Sequence, residues 1–542
     1  MMSFRRLIIW AAAAACLATS AYAQPAPVVT SPAGAVQGLT DGATRVFKSI
    51  PYAVPPVGQG RWRPPVAMPP WQGVKSAVEF GPACVQPSFK FKSVYTQDIG
   101  ATSEDCLTLN VWTPADARKT PVFVWIHGGS FTGGGSKESL YDGARLAQRG
   151  IIVVTVNYRV GVLGYLAHPQ LSNESPLKIS GNYGTLDQIE ALKWVQRNIE
   201  AFGGDPANVT VAGESAGGLS VLYLMASPAA RGLFAKAIAQ SSYMVSMPEL
   251  RERRFGETPA ELQGARLLTT LGAANIGALR KMDAQSLVDA AAMARYLPLG
   301  NVDGKILPRQ LVDTFDKGEQ AHVPLLAGFN AGEIRSLTIL APPVPSSTSA
   351  YEAAIRERYG NLADEFLRLY PSSNMQESIF ATTRDALYGW TAERLALKQA
   401  ARAPSYLYLF DHGYPAADEA GLHAFHASEL PYMFGNMERT PQYWPKIPAT
   451  PQETRLSDAM VGYWMSFAKT GTPSAANEAA WAPYGSTGAY MHFADTPKAA
   501  SDLFPGMFEL HEEAVCRRRK SGDQPWNWNT GLVSPILGAA CP

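Results

Sequence analysis

The run Gly213-Glu214-Ser215-Ala216-Gly217-Gly218 sets a serine between glycines, directly after an apolar β-rich stretch and directly before a helical one. A serine hydroxyl is a weak nucleophile until it is exposed, strained and beside a base, and a G-x-S-x-G turn from strand to helix supplies the first two conditions. The flanking glycines leave room for the neighbouring strand and helix, and the free N–H groups of the helix amino terminus point at the reacting centre. Such a serine suits acyl transfer, which also needs a place for negative charge. His127-Gly128-Gly129-Ser130-Phe131 follows the apolar run that ends at Ile126 and offers backbone N–H groups to an oxyanion. The expected donors are Gly129, Ser130 and Ala216. A phosphate loop is the rival reading of these glycines, but Gly135-Ser136 stands where that loop needs Lys-Ser/Thr.

These groups need strands that end at a common edge. Val122 to Ile126 and Ile151 to Val156 are continuous apolar runs, as expected of central strands covered on both faces. Ile189, Leu192, Val195 and Ile199 then recur at helical spacing. Val209-Thr210-Val211, the glycine corner and a helical run from Leu219 to Met225 follow. The alternation predicts an α/β fold with a mostly parallel sheet. Residues 248–299 are Ala- and Leu-rich and read as helical, while 342–349 form a Pro/Ser-rich loop. No repeat or linker divides the chain, so one large domain with helical insertions is expected.

Composition narrows the function classes. Of 542 residues, 46% are hydrophobic and 17% charged, which excludes disorder. Lys plus Arg number 47 against 46 Asp plus Glu, so no basic excess exists to neutralise phosphates, and nucleic acid is not an expected partner. Arg5 and Arg6, an apolar run from Leu7 to Leu17 and Ala21-Tyr22-Ala23 read as a signal peptide over residues 1–23, leaving a mature domain over 24–542. The run is too short to span a membrane. A lipoprotein cut before Cys16 is the runner-up. The expectation is a secreted or periplasmic protein with no stable membrane anchor. Export makes Cys84, Cys106, Cys516 and Cys541 an even set in an oxidising compartment. Two disulfides are expected; three pairings are possible, and short loop closure favours Cys84 with Cys106 and Cys516 with Cys541.

On these motifs, together with Glu104-Asp105-Cys106-Leu107-x-Leu109-Asn110-Val111, Asn157-Tyr158-Arg159, Gly181-Asn182-Tyr183-Gly184 and Phe202-Gly203-Gly204-Asp205-Pro206, the sequence resembles the type-B carboxylesterases. That group, within the α/β-hydrolases, includes bacterial para-nitrobenzyl esterases and animal cholinesterases. The resemblance implies a central twisted, mostly parallel sheet flanked by helices. It implies that His426, in His426-Ala427-Ser428-Glu429-Leu430-Pro431-Tyr432-Met433-Phe434-Gly435, is the base. It makes Glu333, in Gly328-Phe329-Asn330-Ala331-Gly332-Glu333, the acid, although Gly332 stands where the family more often has an acidic residue. Ser241 matches a serine that supports the acid by a hydrogen bond, with Ser242 in place of the usual glycine after it. His423 is the nearest decoy for the base, and a metal face of His423, His426 and Glu429 lacks a zinc motif. Asp303 reads as a structural turn.

The implied chemistry is hydrolysis of a small-molecule ester through an acyl-enzyme, with no cofactor and no metal. Ser241 and Glu214 are expected beside the triad, the first supporting the acid and the second a fixed negative charge facing the pocket. Phe131 and Tyr243 are candidate walls of the acyl or alcohol pocket, against core packing as the commoner role of aromatics in a core this size. The loop closed by Cys84 and Cys106 holds Phe89, Phe91 and Tyr95 but no tryptophan, which disfavours quaternary ammonium esters. A lipase or serine peptidase on the same triad, or a binding protein on the same scaffold, are the alternatives. The sequence is silent on oligomeric state.

Overall fold

A computed structural model describes residues 26–88, 92–526 and 528–541. The leader over 1–23, Cys16, Phe89 and Phe91 lie outside these residues. Among the described residues, eleven strands form the main sheet. In chain order they are β1 (Leu39–Asp41), β2 (Thr44–Pro51), β3 (Thr108–Pro114), β4 (Thr120–Ile126), β5 (Ile152–Val156), β6 (Gly204–Glu214), β7 (Lys236–Gln240), β8 (Leu325–Asn330), β9 (Ser405–Phe410), β10 (Ala489–Phe493) and β11 (Pro497–Ser501). Their order across the sheet is β11-β10-β9-β8-β7-β6-β4-β5-β3-β2-β1. The run from β5 to β10 is parallel, and antiparallel strands finish both edges.

Period-two alternation explains why the central strands are apolar at nearly every position. Val122, Val124 and Ile126 of β4 point into one core, while Phe123 and Trp125 point into the other. Ile152, Val154 and Val156 of β5 divide from Val153 in the same way. Helices α1 (Tyr183–Asn198) and α2 (Ala216–Ala226) cover the first face. The second is covered by the helix Pro451–Thr470, which buries Trp464 and Phe467. The Ala/Leu-rich stretch supplies three short helices, Ala260–Thr270, Ile276–Lys281 and Ala284–Met293, with a smaller core of their own. Both expected cysteine pairs are joined, Cys84 to Cys106 and Cys516 to Cys541. No helix among the described residues is long and apolar enough to cross a membrane.

Candidate active site

Ser215 stands alone between β6 and α2 with φ 57° and ψ −123°, a conformation that L residues adopt at a cost of about 1–3 kcal/mol. The turn is held by Ser215 N–H donating to Gln240 O at 3.0 Å and by Leu219 N–H donating to Ser215 O at 2.9 Å. Gly217 is required here: a methyl group on it would lie 2.1 Å from the Ile126 carbonyl oxygen. The strain is therefore overdetermined by packing. Its result is a partly exposed side chain at the carboxyl end of a parallel strand, where α/β sheets bind ligands.

The loop after β4 packs directly against this turn. A methyl group on Gly128 would come within 3.3 Å of Ser215 Cβ and 2.8 Å of the Glu214 carbonyl oxygen. Gly129, Ser130 and Phe131 have φ of 102°, 55° and 56°, a tight left-handed run closed by Thr132 and Gly133 N–H donating to Gly129 O. Among the described residues nothing accepts from the N–H groups of Gly129, Ser130 or Ala216. His127 is buried and stacks on Tyr158, and burial pulls its pKa down to about 4, so it adds no charge.

The imidazole and its carboxylates come from loops after β8 and β9. Gly332 N–H donates to Ala424 O at 2.8 Å, and Asn330 Nδ2 donates to Phe425 O at 2.8 Å, which ties the two loops together. His426 Nδ1 bonds Glu333 Oε2, while Asn330 N–H donates to Glu333 Oε1 at 2.8 Å. His426 Nε2 lies 3.0 Å from Glu214 Oε1, on the residue next to Ser215. No hydrogen bond joins Ser215 to His426 among the described residues. The approach to Glu214 is an ion-pair contact rather than an aligned hydrogen bond, since Glu214 Oε1 has no hydrogen-bond partner among the described residues. Burial depresses the His426 pKa, but Glu214 and Glu333 more than reverse this and hold it well above the ordinary histidine value. Burial raises the Glu214 carboxyl, opposed by His426.

The structure departs from the sequence expectation at Ser241 and agrees with it at Asp303 and His423. Ser241 does not support the acid: its buried hydroxyl has no partner among the described residues. The Glu333 oxygens accept instead from His426 and from the Asn330 amide. Phe131 packs into the core, against Tyr165 at 4.8 Å and Tyr223 at 6.0 Å, the commoner role of such an aromatic. Glu214 faces the imidazole, Asp303 caps a turn by accepting from three backbone N–H groups, and His423 pairs with Asp411 and Asp418. The sequence suggested Glu429 only as part of a metal face and not for its place beside the triad. Its buried carboxyl accepts from Asn330 Nδ2 at 2.6 Å and Gln240 Nε2 at 2.8 Å, and burial beside Glu214 raises its pKa to about 8. Asn330 and Glu429 both stood inside quoted motifs, which was the available signal. Tyr95, in the first disulfide loop, donates to the His426 carbonyl at 2.8 Å. Tyr388 packs its ring 5.3 Å from the imidazole, from a π-helical turn, Asp385–Gly389, between helices α3 (Met375–Arg384) and α4 (Trp390–Ala400). π-turns recur at functional sites.

Residues 25–507 match the model of a family described as the carboxylesterase family. The chain is 37% identical over 478 residues to fumonisin B1 esterase of Sphingopyxis macrogoltabida, covering 85% of each chain. It is 39% identical over 459 residues to para-nitrobenzyl esterase of Bacillus subtilis, covering 82% of this chain and 90% of that one. A solved structure of PNB esterase superposes with a TM-score of 0.78 at 35% identity, covering 90% of this chain and 99% of its own. A carboxylesterase structure from Geobacillus stearothermophilus gives 0.72 at 32% identity, covering 89% and 99%.

Proposed function

This chain belongs to the carboxylesterase family and is a carboxylic-ester hydrolase of α/β-hydrolase fold, and we propose that Ser215, His426 and Glu333 carry its reaction. Neutral His426, released from Glu214, takes the Ser215 proton as the hydroxyl oxygen attacks the ester carbonyl. The oxyanion sits against the N–H groups of Gly129, Ser130 and Ala216, where the loss of one donor typically costs about 2.7–4 kcal/mol of transition-state stabilisation. The carbon–oxygen bond to the alcohol breaks, and His426 gives that alcohol its proton. Water, deprotonated by His426, then attacks the acyl-enzyme, and Ser215 recovers its proton as the acid leaves. Glu333 stabilises the imidazolium at each transfer. The observation that carries this reading is the left-handed Ser215 turn, with free N–H donors on one side and the Glu333–His426 pair reaching its neighbouring residue on the other.

The residues 24–542 are proposed to act as one domain, exported after cleavage behind Ala23, which the two disulfides support. Ester relatives make a small-molecule ester the proposed substrate. Ser215→Ala is expected to lower kcat on a chromogenic short-chain ester by about 10⁴- to 10⁶-fold with the circular dichroism spectrum unchanged. Near wild-type turnover by that variant refutes the assignment.

A further inference from the structure

The second disulfide closes a stretch of chain that returns to the site. Helix α5 (Met507–Ser521) stops at Gly522, whose φ of 75° turns the chain back across the body. This strap lies beyond residue 507, where the family match ends. It is fastened at several points. Trp526 is buried, donates Nε1–H to Met244 O at 3.0 Å and meets Phe255 at 4.9 Å. Arg518 donates to Asn529 O at 2.9 Å and Ser534 Oγ at 2.7 Å, and Gly531 N–H donates to Tyr359 Oη at 2.9 Å. Cys541 is then bonded back to Cys516 on α5.

Between these fastenings Trp528 remains 39% exposed, with its ring 5.7 Å from Tyr243. Tyr243 meets Tyr388 edge-on at 6.1 Å, and Tyr388 lies 5.3 Å from the His426 imidazole. Three aromatic rings thus lead from solvent to the base. The departing alkoxide takes its proton from His426, so the alcohol half of an ester lies on the imidazole side of the reacting carbon. A wall that begins at the imidazole flanks that half.

Resting on Ser215 as the nucleophile, we propose that Trp528 is a specificity-determining residue: the Cys516–Cys541 strap holds it as the outer end of an aromatic wall that favours esters of aromatic alcohols. Offset and edge-on ring contacts of this kind supply selectivity beyond buried area alone.

The test uses the full chain and two esters, benzyl butyrate and methyl butyrate, with acid release followed in a pH-stat. The quantity read is the ratio of their kcat/KM values. Trp528→Ala is expected to lower the benzyl-to-methyl ratio by about threefold to tenfold, chiefly through KM for the benzyl ester. Trp528→Phe should restore most of it, and Cys516→Ser with Cys541→Ser should lower it like Trp528→Ala. Val533→Ala, on the same strap and 49% exposed, should leave it unchanged. An unchanged ratio in Trp528→Ala, or a proportional loss on both esters, overturns the proposal. Failure of the underlying reading looks different: Ser215→Ala would then hydrolyse both esters, whatever the ratio does.

Discussion

The contact between His426 Nε2 and Glu214 Oε1 makes a prediction that a bare triad would not. Glu214 sits 3.0 Å from the nitrogen that must accept the Ser215 proton, and both groups are buried. Its negative charge favours the imidazolium over the neutral ring that must accept the Ser215 proton. Glu214→Gln keeps the size of the side chain and removes the charge. An opposite charge at this range typically shifts a pKa by about 1–3 units, so the histidine pKa should fall by about that much. The sign follows directly: a lower pKa leaves neutral His426 available at lower pH. The acid limb of kcat/KM, measured from pH 4 to 9 on a short-chain chromogenic ester, should therefore move down by about one unit or more. Glu333 still holds Nδ1 in the variant, so activity on the plateau should survive. A limb that stays in place, or moves up, refutes the view that Glu214 favours the imidazolium.

Other positions give further checks. Gly217→Ala should destabilise the fold by more than about 2 kcal/mol and abolish esterase activity, since its new methyl meets the Ile126 carbonyl oxygen at 2.1 Å; a soluble, active variant of wild-type melting temperature contradicts that. The hydrogen bond to Asp411, helped by Asp418 and opposed by burial, raises the His423 pKa above 6.5. Its stabilisation is then complete below the unfolded histidine value and is lost as pH rises through the raised folded value. The melting-temperature gap between wild type and His423→Gln should shrink across that window, and a gap that widens with pH would contradict the assignment.

The centre of the sheet was legible because strands buried on both faces cannot hide: β4 and β5 are apolar at successive positions. The Ser215 corner was legible because only glycine tolerates the approach of Ile126 and Gln240 carbonyls to Gly217 and Gly218. Strands β1 and β2 at the edge were not, since β1 is exposed at all three positions and four of the eight positions of β2 are only half-buried, with mixed residues. The resemblance named His426 and Glu333, but no spacing reveals where a side chain turns. The approach of Nε2 to Glu214, the lack of a partner for the Ser241 hydroxyl, and the core position of Phe131 all depend on packing between loops distant in sequence. The π-helical turn that presents Tyr388 is invisible for the same reason, being one extra residue accommodated by contacts rather than by propensity.

The account turns on one oxygen atom being an activated nucleophile. A fluorophosphonate reagent, incubated with the folded protein and followed by proteolysis and tandem mass spectrometry, reads that directly. The predicted result is a single adduct on the Ser215 hydroxyl, formed in parallel with loss of esterase activity and absent after heat denaturation. An adduct on any other residue, or complete inactivation with Ser215 unmodified, would contradict it.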